Sequence, residues 1–78
     1  MAELQKTLHD IAAAIVDSPD EVKVIYEEDD DTITMTLSVA PDDMGMVIGR
    51  HGKIAKAIRT VIKAAAAPGG KKVNVEIR

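Results

Sequence analysis

Two glycines flank an Arg-His pair in the stretch VIGRHGKIAKAIR, which covers residues 47–59. Gly49 and Gly52 permit positive φ angles and carry no side chain that would hold a ligand away from the backbone. A helix that begins at the second glycine adds free N–H groups and the positive end of its dipole at the same point. Arg50, His51 and the two glycines therefore predict a site for a phosphate group.

The residues after this loop extend its basic character along a predicted helix. One polar stripe carries Lys53, Lys56, Thr60 and Lys63, and Arg59 lies nearby. Without the loop, such a row would be an ordinary solvated helix face. Next to a phosphate site, this row of basic residues favours binding of a nucleic-acid backbone, with several phosphates in succession, over binding of one isolated phosphate.

Gly45 is unusual because a glycine inside a short helix costs about 1 kcal/mol relative to alanine. It stands four residues before Gly49, so both glycines fall on the same helix face. That face would accept a sugar or base at close range, with Ile48 and Ile54 as apolar walls. Alternatively, Gly45 lets the short helix pack closely on a neighbour. The sequence leaves these two interpretations open.

The net charge of −3 conceals a division along the chain. Residues 1–44 carry 2 basic and 12 acidic side chains, a balance of −10, whereas residues 45–78 carry 8 basic and 1 acidic, a balance of +7. A folded domain can thus combine a basic face with an acidic back, and a charged ligand meets the local field. The 78 residues, 46% of them hydrophobic, are expected to form a single domain over residues 1–78.

Several classes of protein are excluded by composition and spacing. No cysteine is present, which excludes disulfides and thiolate metal sites and favours a cytoplasmic location. Glu3 and Asp10 interrupt the apolar start of the chain, as is typical of neither a signal peptide nor a membrane span. The glycines at 45, 49 and 52 fit neither a P-loop nor a dinucleotide fingerprint. We expect no enzyme, no metal or other cofactor, and no membrane association.

The apolar pattern predicts six elements in the order α-β-β-α-α-β. A first helix ends at Ser18-Pro19, and strands at residues 22–28 and 32–39 are joined by an acidic turn at residues 29–31. A last strand alternates through residues 73–77. Apolar and polar residues alternate in the second strand, so one face of the sheet is expected to be buried and the other wet.

Two adjacent helices are predicted to carry the loop. Residues 40–49 form the shorter one, with Pro41 at its first position and Asp42 and Asp43 complementing the N-terminal dipole. The longer helix begins near Gly52 and ends at a Pro-Gly-Gly run. Its predicted buried face consists of Ile54, Ala57, Ile58, Val61, Ile62 and Ala65.

The VIGRHG loop within this order of elements resembles the Gly-x-x-Gly signature of KH domains with type II topology. More closely, residues 40–67 resemble the small bacterial single-KH RNA-binding proteins of the KhpA family. The resemblance implies an α+β fold, a three-stranded sheet with helices packed on one face, and no catalysis. It also implies binding of single-stranded RNA, with about four nucleotides clamped at the loop.

The same resemblance assigns the predicted RNA-binding residues. Gly49, Arg50, His51 and Gly52 would grip the backbone, and Gly45, Ile48, Ile54 and Ile58 would line or support a nucleotide groove. Lys53, Lys56 and Arg59 complete the predicted set. Most KH domains have a bulky aliphatic residue three positions after the second glycine, where this chain has Ala55. The floor of the groove is therefore expected to differ in shape.

A single domain with so short a footprint is expected to bind RNA weakly, which favours multivalency. The KhpA resemblance implies a homodimer and pairing with a larger KH-containing protein of the KhpB or Jag type. A competing interpretation is a protein-interaction module that serves chiefly for dimerisation, with RNA affinity secondary. It would use apolar surface of the long helix, such as Val61, Ile62 or the run Ala64 to Ala67. The sequence does not rank the two.

Overall fold

The computed structural model describes residues 2–78 and confirms the predicted order of elements. The helices are α1 (Ala2–Ile15), α2 (Met44–Ile48) and α3 (Lys53–Ala66), and the strands are β1 (Lys23–Glu28), β2 (Thr32–Ser38) and β3 (Lys72–Ile77). Short 3-10 turns at Pro19–Glu21, Pro41–Asp43, Arg50–Gly52 and Ala67–Gly69 connect them. Pro41 opens the segment that leads into α2, as the sequence predicts.

The three strands form one mixed sheet in the order β1-β2-β3. The central strand β2 is antiparallel to β1 and parallel to β3, with Met35 opposite both Tyr26 and Val75. A parallel pair needs a crossover, because the chain must return to the same end of the sheet before the second strand starts. Helices α2 and α3 are that crossover, so the glycine loop lies in its middle.

Helices α1 and α3 pack on one face of the sheet and bury the core against it. The odd-numbered residues of β2 point into this core, while the threonines between them are only half-buried. The buried apolar residues include Leu4, Leu8, Ala12, Ile33, Met35, Leu37, Ile58, Ile62, Val73 and Val75. This is the α+β arrangement with helices on one face that the resemblance implied.

The buried face of α3 differs from the predicted one. The buried residues are Ala55, Ile58, Ile62 and Ala66, whereas Ile54, Ala57, Val61 and Ala65 are exposed. Apolar residues cover more than half of this helix, so periodicity alone leaves open which part of that surface meets the sheet. Ala55 is 4% exposed, and its small side chain stands at the position where most KH domains have a bulky aliphatic.

Asp43, at the start of α2, also makes a long-range contact that the sequence does not predict. Its side chain is 3% exposed and accepts a hydrogen bond from the backbone N–H of Ser18 at 3.0 Å, and it makes no cap bond to α2. Burial of a carboxylate is costly unless the group is hydrogen-bonded. Asp43 therefore ties the start of α2 to the segment that follows α1, which fixes one end of the loop-bearing helix pair.

Candidate nucleic-acid interface

The loop between α2 and α3 consists of the four residues 49–52. Three of these residues have positive φ: Gly49 at 74°, His51 at 58° and Gly52 at 73°. Histidine is among the residues that enter the left-handed region more often than most side chains do. The paired glycines of the sequence thus stand where the turn requires them.

The two glycines are required for different reasons. Gly49 combines its positive φ with a ψ of 175°, a region open essentially to glycine alone. A Cβ atom there would also lie 2.6 Å from Cγ1 of Ile54, so the Gly49 backbone packs directly against that side chain. Gly52 is left-handed, with ψ at 14°, but a Cβ atom there would meet nothing within 4 Å. Its requirement comes from the backbone angle alone.

The loop leaves two backbone donors unused. The N–H of Gly49 donates to the Gly45 carbonyl at 2.9 Å, and that of Gly52 donates to the Gly49 carbonyl at 3.2 Å. Within residues 2–78, the N–H groups of Arg50 and His51 have no acceptor. No side chain caps the start of α3 either, because its N-cap residue is Gly52. Free N–H groups thus meet the positive end of a 14-residue helix dipole, which favours a bound anion.

The basic side chains around the loop are not neutralised by neighbouring acids. All members of the set Arg50, His51, Lys53, Lys56 and Lys63 are exposed, and none forms an ion pair with a carboxylate of the described chain. The predicted stripe of Lys53, Lys56, Thr60 and Lys63 lies along one side of α3, because its members are three or four residues apart. It begins directly after the loop. Its positive potential is available to a ligand.

Arg59 behaves differently from the lysines of the stripe. Its Nε donates to the carbonyl of Val75 at 3.1 Å in a partly buried contact with β3. On the opposite edge of the sheet, Gln5 makes the same kind of bond to the carbonyl of Val24 at 2.8 Å. Long side chains thus cover part of each edge strand, which hinders strand-to-strand association between molecules. Arg59 lies between the basic stripe and the β3 edge.

The apolar part of the predicted site is a small exposed surface on both sides of the loop. Ile48 is 38% exposed, Ile54 and Met46 are each 36% exposed, and Ile58 is buried beneath them at 3%. Ile58 therefore supports this surface and does not line it. The sequence prediction of the site did not include Met46, although its place beside Gly45 was a usable signal.

Gly45 lies on this open surface. A Cβ atom at Gly45 would meet no other atom within 4 Å, and its φ is not in the left-handed region. The interpretation that this glycine allows α2 to pack closely on a neighbour is therefore wrong. The helix backbone at Gly45 is therefore exposed on this surface.

A Gly-x-x-Gly turn between two helices, set in an α-β-β-α-α-β domain with a mixed three-stranded sheet, defines the KH class with type II topology. The family model described as "KhpA/KhpB, KH domain" matches residues 5–77. The chain belongs to this family.

Relatives of nearly the same length support the assignment. The RNA-binding protein KhpA of Clostridium acetobutylicum is 54% identical over 95% of this chain and 99% of its own length. The RNA-binding protein KhpA of Caldanaerobacter subterraneus subsp. tengcongensis is 53% identical, with 99% of each chain covered. The protein of the same name from Listeria monocytogenes is 42% identical over 95% of this chain and 97% of its own.

A solved structure shows the same fold at low identity. An Aquifex aeolicus Era variant bound to GDP.AlF4- superposes with a TM-score of 0.69 and 16% identity. The match covers 95% of this chain and 29% of that one. This likeness concerns the fold alone.

Of the helices described in this chain, none has the length and apolar content needed to cross a membrane.

Proposed function

We propose that this protein binds single-stranded RNA without catalysis and grips the RNA backbone at Gly49–Gly52. The observation that carries the proposal is the pair of unused N–H donors at Arg50 and His51, next to the uncapped start of α3. Phosphate oxygens are strong acceptors for such donors, and the helix dipole favours their charge. The KhpA relatives are themselves named RNA-binding proteins.

The next phosphates of the strand have partners along α3. Lys53 and Lys56 follow the loop on the exposed stripe and lie without carboxylate partners in the part of the chain described. Lysine acts on phosphate as a point charge, which suits a flexible backbone and carries no sequence information. We assign the Arg50 and His51 side chains the first phosphate, and these two lysines the ones that follow.

The bases would meet the free edge of β3. Lys72 N–H donates to the Asp31 carbonyl and Arg78 N–H to the Leu37 carbonyl, at 3.0 and 2.8 Å. In a parallel pair the intervening residues then turn their N–H and C=O groups away from β2, so those of Val73, Val75 and Ile77 face outward. A base edge can hydrogen-bond to such groups. Arg59 already occupies the Val75 carbonyl with one N–H, and its other donors remain for a base.

The composition supports a groove over a stacking platform. The chain has one Tyr and no Trp or Phe, so it lacks the aromatic faces on which bases stack in other single-strand binders. Affinity must then come mainly from phosphate contacts and from close approach at Gly45, Ile48 and Ile54. Such an interface is expected to be weak and sensitive to salt.

A titration of fluorescently labelled RNA tests the proposal. Affinity for a short single strand should fall with salt by roughly 0.7 log units per log unit of salt for each phosphate neutralised. A duplex of the same sequence should bind more weakly, because its base edges are paired and cannot reach the β3 edge. A salt-independent affinity, or equal binding of the duplex, would count against RNA recognition by this surface.

A second candidate function, self-association, is favoured by an exposed apolar stripe on α3. Ile54, Ala57, Val61 and Ala64 recur at intervals of three and four residues and are all exposed, Val61 by 50%. This is the spacing of a two-helix seam, and the alanines allow close approach. The sequence prediction included Ile62 and Ala66, but both are buried in the core and are unavailable to a partner.

The two candidate functions share only Ile54, which borders both the glycine loop and the seam. Each residue of the apolar stripe directly follows one of the basic stripe, so the two stripes are about 100° apart around the helix. A second copy of this chain packed along the apolar stripe would leave both basic stripes open to RNA. Two weak RNA sites in one particle then gain affinity through effective concentration. Pairing with a larger KH-containing protein would use the same seam.

Val61→Glu is expected to convert a dimer into a monomer in sedimentation velocity, because it places a charge in the centre of the seam. Ile25→Glu is the matched control, since Ile25 is the same kind of exposed aliphatic, 58% exposed, but lies on β1. It should leave the sedimentation unchanged. A monomeric wild type at high concentration, or dissociation by Ile25→Glu alone, would contradict a seam on α3.

A further inference from the structure

A basic pocket lies at the opposite end of α3 from the glycine loop. It has a volume of about 340 Å³ and is lined by Lys63, Lys71, Lys72, Val73 and Asn74. Lys63 comes from the second half of α3, whereas the other residues belong to the start of β3 and the residue before it. Tertiary packing thus brings three lysines from two separate segments around one cavity.

Two of these lysines are free to hold an anion. Lys63 and Lys72 are exposed and form no ion pair with a carboxylate of the described residues. Val73 adds an outward-facing N–H at the free edge of β3, and Asn74 adds a side-chain amide. The cavity therefore presents several hydrogen-bond donors with positive charge, which is the chemistry that recognises a phosphate group.

Lys71 has a structural partner. Its Nζ forms an ion pair with Glu28 and donates to the Asp29 carbonyl at 2.9 Å. The hydrogen bond to Glu28 raises the pKa of Lys71, and the same bond lowers the pKa of Glu28. Lys71 thus stays charged at neutral pH, but much of its field is cancelled. Lys63 and Lys72 therefore supply most of the positive charge of the pocket.

The acidic turn at residues 29–31 marks the far side of the pocket. The Asp31 carbonyl accepts from the N–H of Lys72 at 3.0 Å, so the turn and the pocket adjoin. The Asp29 carboxylate is engaged within the turn, where it accepts from the N–H groups of Asp31 and Thr32 at 2.9 and 2.8 Å. Asp30 and Asp31 add negative charge beyond the lysines. The lysines therefore attract a phosphate backbone as far as the pocket, and the carboxylates of the acidic turn repel it beyond that point.

The pocket continues the basic stripe of α3. Lys63 stands ten residues after Lys53 on the same stripe, about 15 Å along the helix axis. Both the stripe and the pocket border the free edge of β3, against which Arg59 lies. Glu76 is the one carboxylate on β3, and it is paired with Arg78 at 3.4 Å. A strand held at the loop can therefore run along this edge to the pocket.

We propose that the pocket of Lys63, Lys71, Lys72, Val73 and Asn74 is a second phosphate site on the RNA track. It takes a backbone phosphate of the strand whose nucleotides occupy the glycine loop. This inference rests on the proposed function and extends it, since it assigns the protein an RNA footprint longer than the loop alone requires. The acidic turn sets the end of that footprint.

The test compares oligouridylates of two lengths, 2 and 10 nucleotides, against the double variant Lys63→Gln/Lys72→Gln. Affinity for the longer RNA should fall about five- to tenfold, as expected for the loss of two exposed ion contacts. Its salt slope should fall by roughly 0.7 for one lost phosphate contact. Affinity for the shorter RNA should not change. Lys6→Gln/Lys23→Gln is the matched control, because it removes the same charge from α1 and β1 and should affect neither RNA.

The possible outcomes are distinguishable. Failure of the wild type to bind either RNA would overturn the proposed function, and with it this site. Wild-type binding that does not increase with length, or equal losses in the pocket and control variants, would overturn the pocket alone. Inorganic phosphate provides a further arm: if it saturates the amide shifts of Val73 and Asn74 at low concentration while the long RNA leaves them unchanged, the pocket serves free phosphate and the proposal is wrong.

Discussion

The double variant Arg50→Asp/His51→Asp is expected to lose at least about 100-fold in affinity for single-stranded RNA, since hydrogen bonds to charged groups contribute roughly 1.5 kcal/mol or more each. Two carboxylates would then stand where the unused N–H groups of the loop and the dipole of α3 favour an anion. They repel the phosphate and can also accept those N–H groups themselves. Both effects act in the same direction.

The domain should remain folded in this variant. Both side chains are exposed and make no contact that the core depends on. The positive φ of His51 is tolerated by Asp, which enters the left-handed region more often than most residues. Circular dichroism and thermal melting check the fold, and titration with labelled RNA measures the affinity. Lys23→Asp, a charge reversal on β1, should change binding only slightly.

Two outcomes would contradict this prediction. If the folded double variant binds RNA as tightly as the wild type, the glycine loop is not the phosphate site. A loss of similar size in Lys23→Asp would instead indicate that the overall charge of the protein governs binding. Either result would remove the basis for assigning the contact to the loop.

Gly49→Ala should be the most destabilising alanine substitution in the loop, at about 3 kcal/mol or more from backbone strain and overpacking together. The new Cβ would lie 2.6 Å from Cγ1 of Ile54, in a backbone region that alanine avoids. For a domain of this size such a loss corresponds to a fall in Tm of more than about 10 °C. Thermal melting followed by circular dichroism measures it.

The other two glycines provide matched controls for this effect. Gly52→Ala has the unfavourable φ of 73° but meets no atom, so it should cost only about 1–2 kcal/mol. Gly45→Ala has neither strain nor contact, so it should raise stability by up to about 1 kcal/mol. It should nevertheless weaken RNA binding, because the added methyl group stands on the open surface. Equal Tm values for all three variants would contradict the structural account of the loop.

Local sequence features were sufficient to predict the elements and the loop. The alternation of apolar and polar residues in β2 is a local pattern, and so are the helix-terminating residues Ser18-Pro19 and Pro-Gly-Gly. Each determines the structure of only the few residues around it. The same holds for Gly49 and Gly52, because so short a turn requires positive φ angles, which glycine adopts most readily. Features of this kind depend only on residues close by in the chain, so they can be predicted from a single amino-acid sequence.

The remaining features depend on contacts between distant segments. The bond from Ser18 to Asp43 joins the segments next to α1 and α2, and the bond from Arg59 to Val75 joins α3 to β3. The burial of Ala55 likewise follows from how α3 packs in the folded domain. No spacing in the sequence encodes those pairings. The pocket of Lys63 and Lys72 is of the same kind, because α3 and β3 bring its lysines together.

The most direct test of the central claim is the RNA titration followed residue by residue with ¹⁵N-labelled protein. On addition of a short single strand, the largest saturable amide shifts should occur at Arg50 and His51, with smaller ones at Gly45, Lys53 and Lys56. These are the residues with unused donors, an open backbone or free positive charge next to the loop. Shifts confined to α1 and β1, or RNA binding that leaves the Arg50 and His51 amides unchanged, would contradict the assignment of the phosphate-gripping site to this loop.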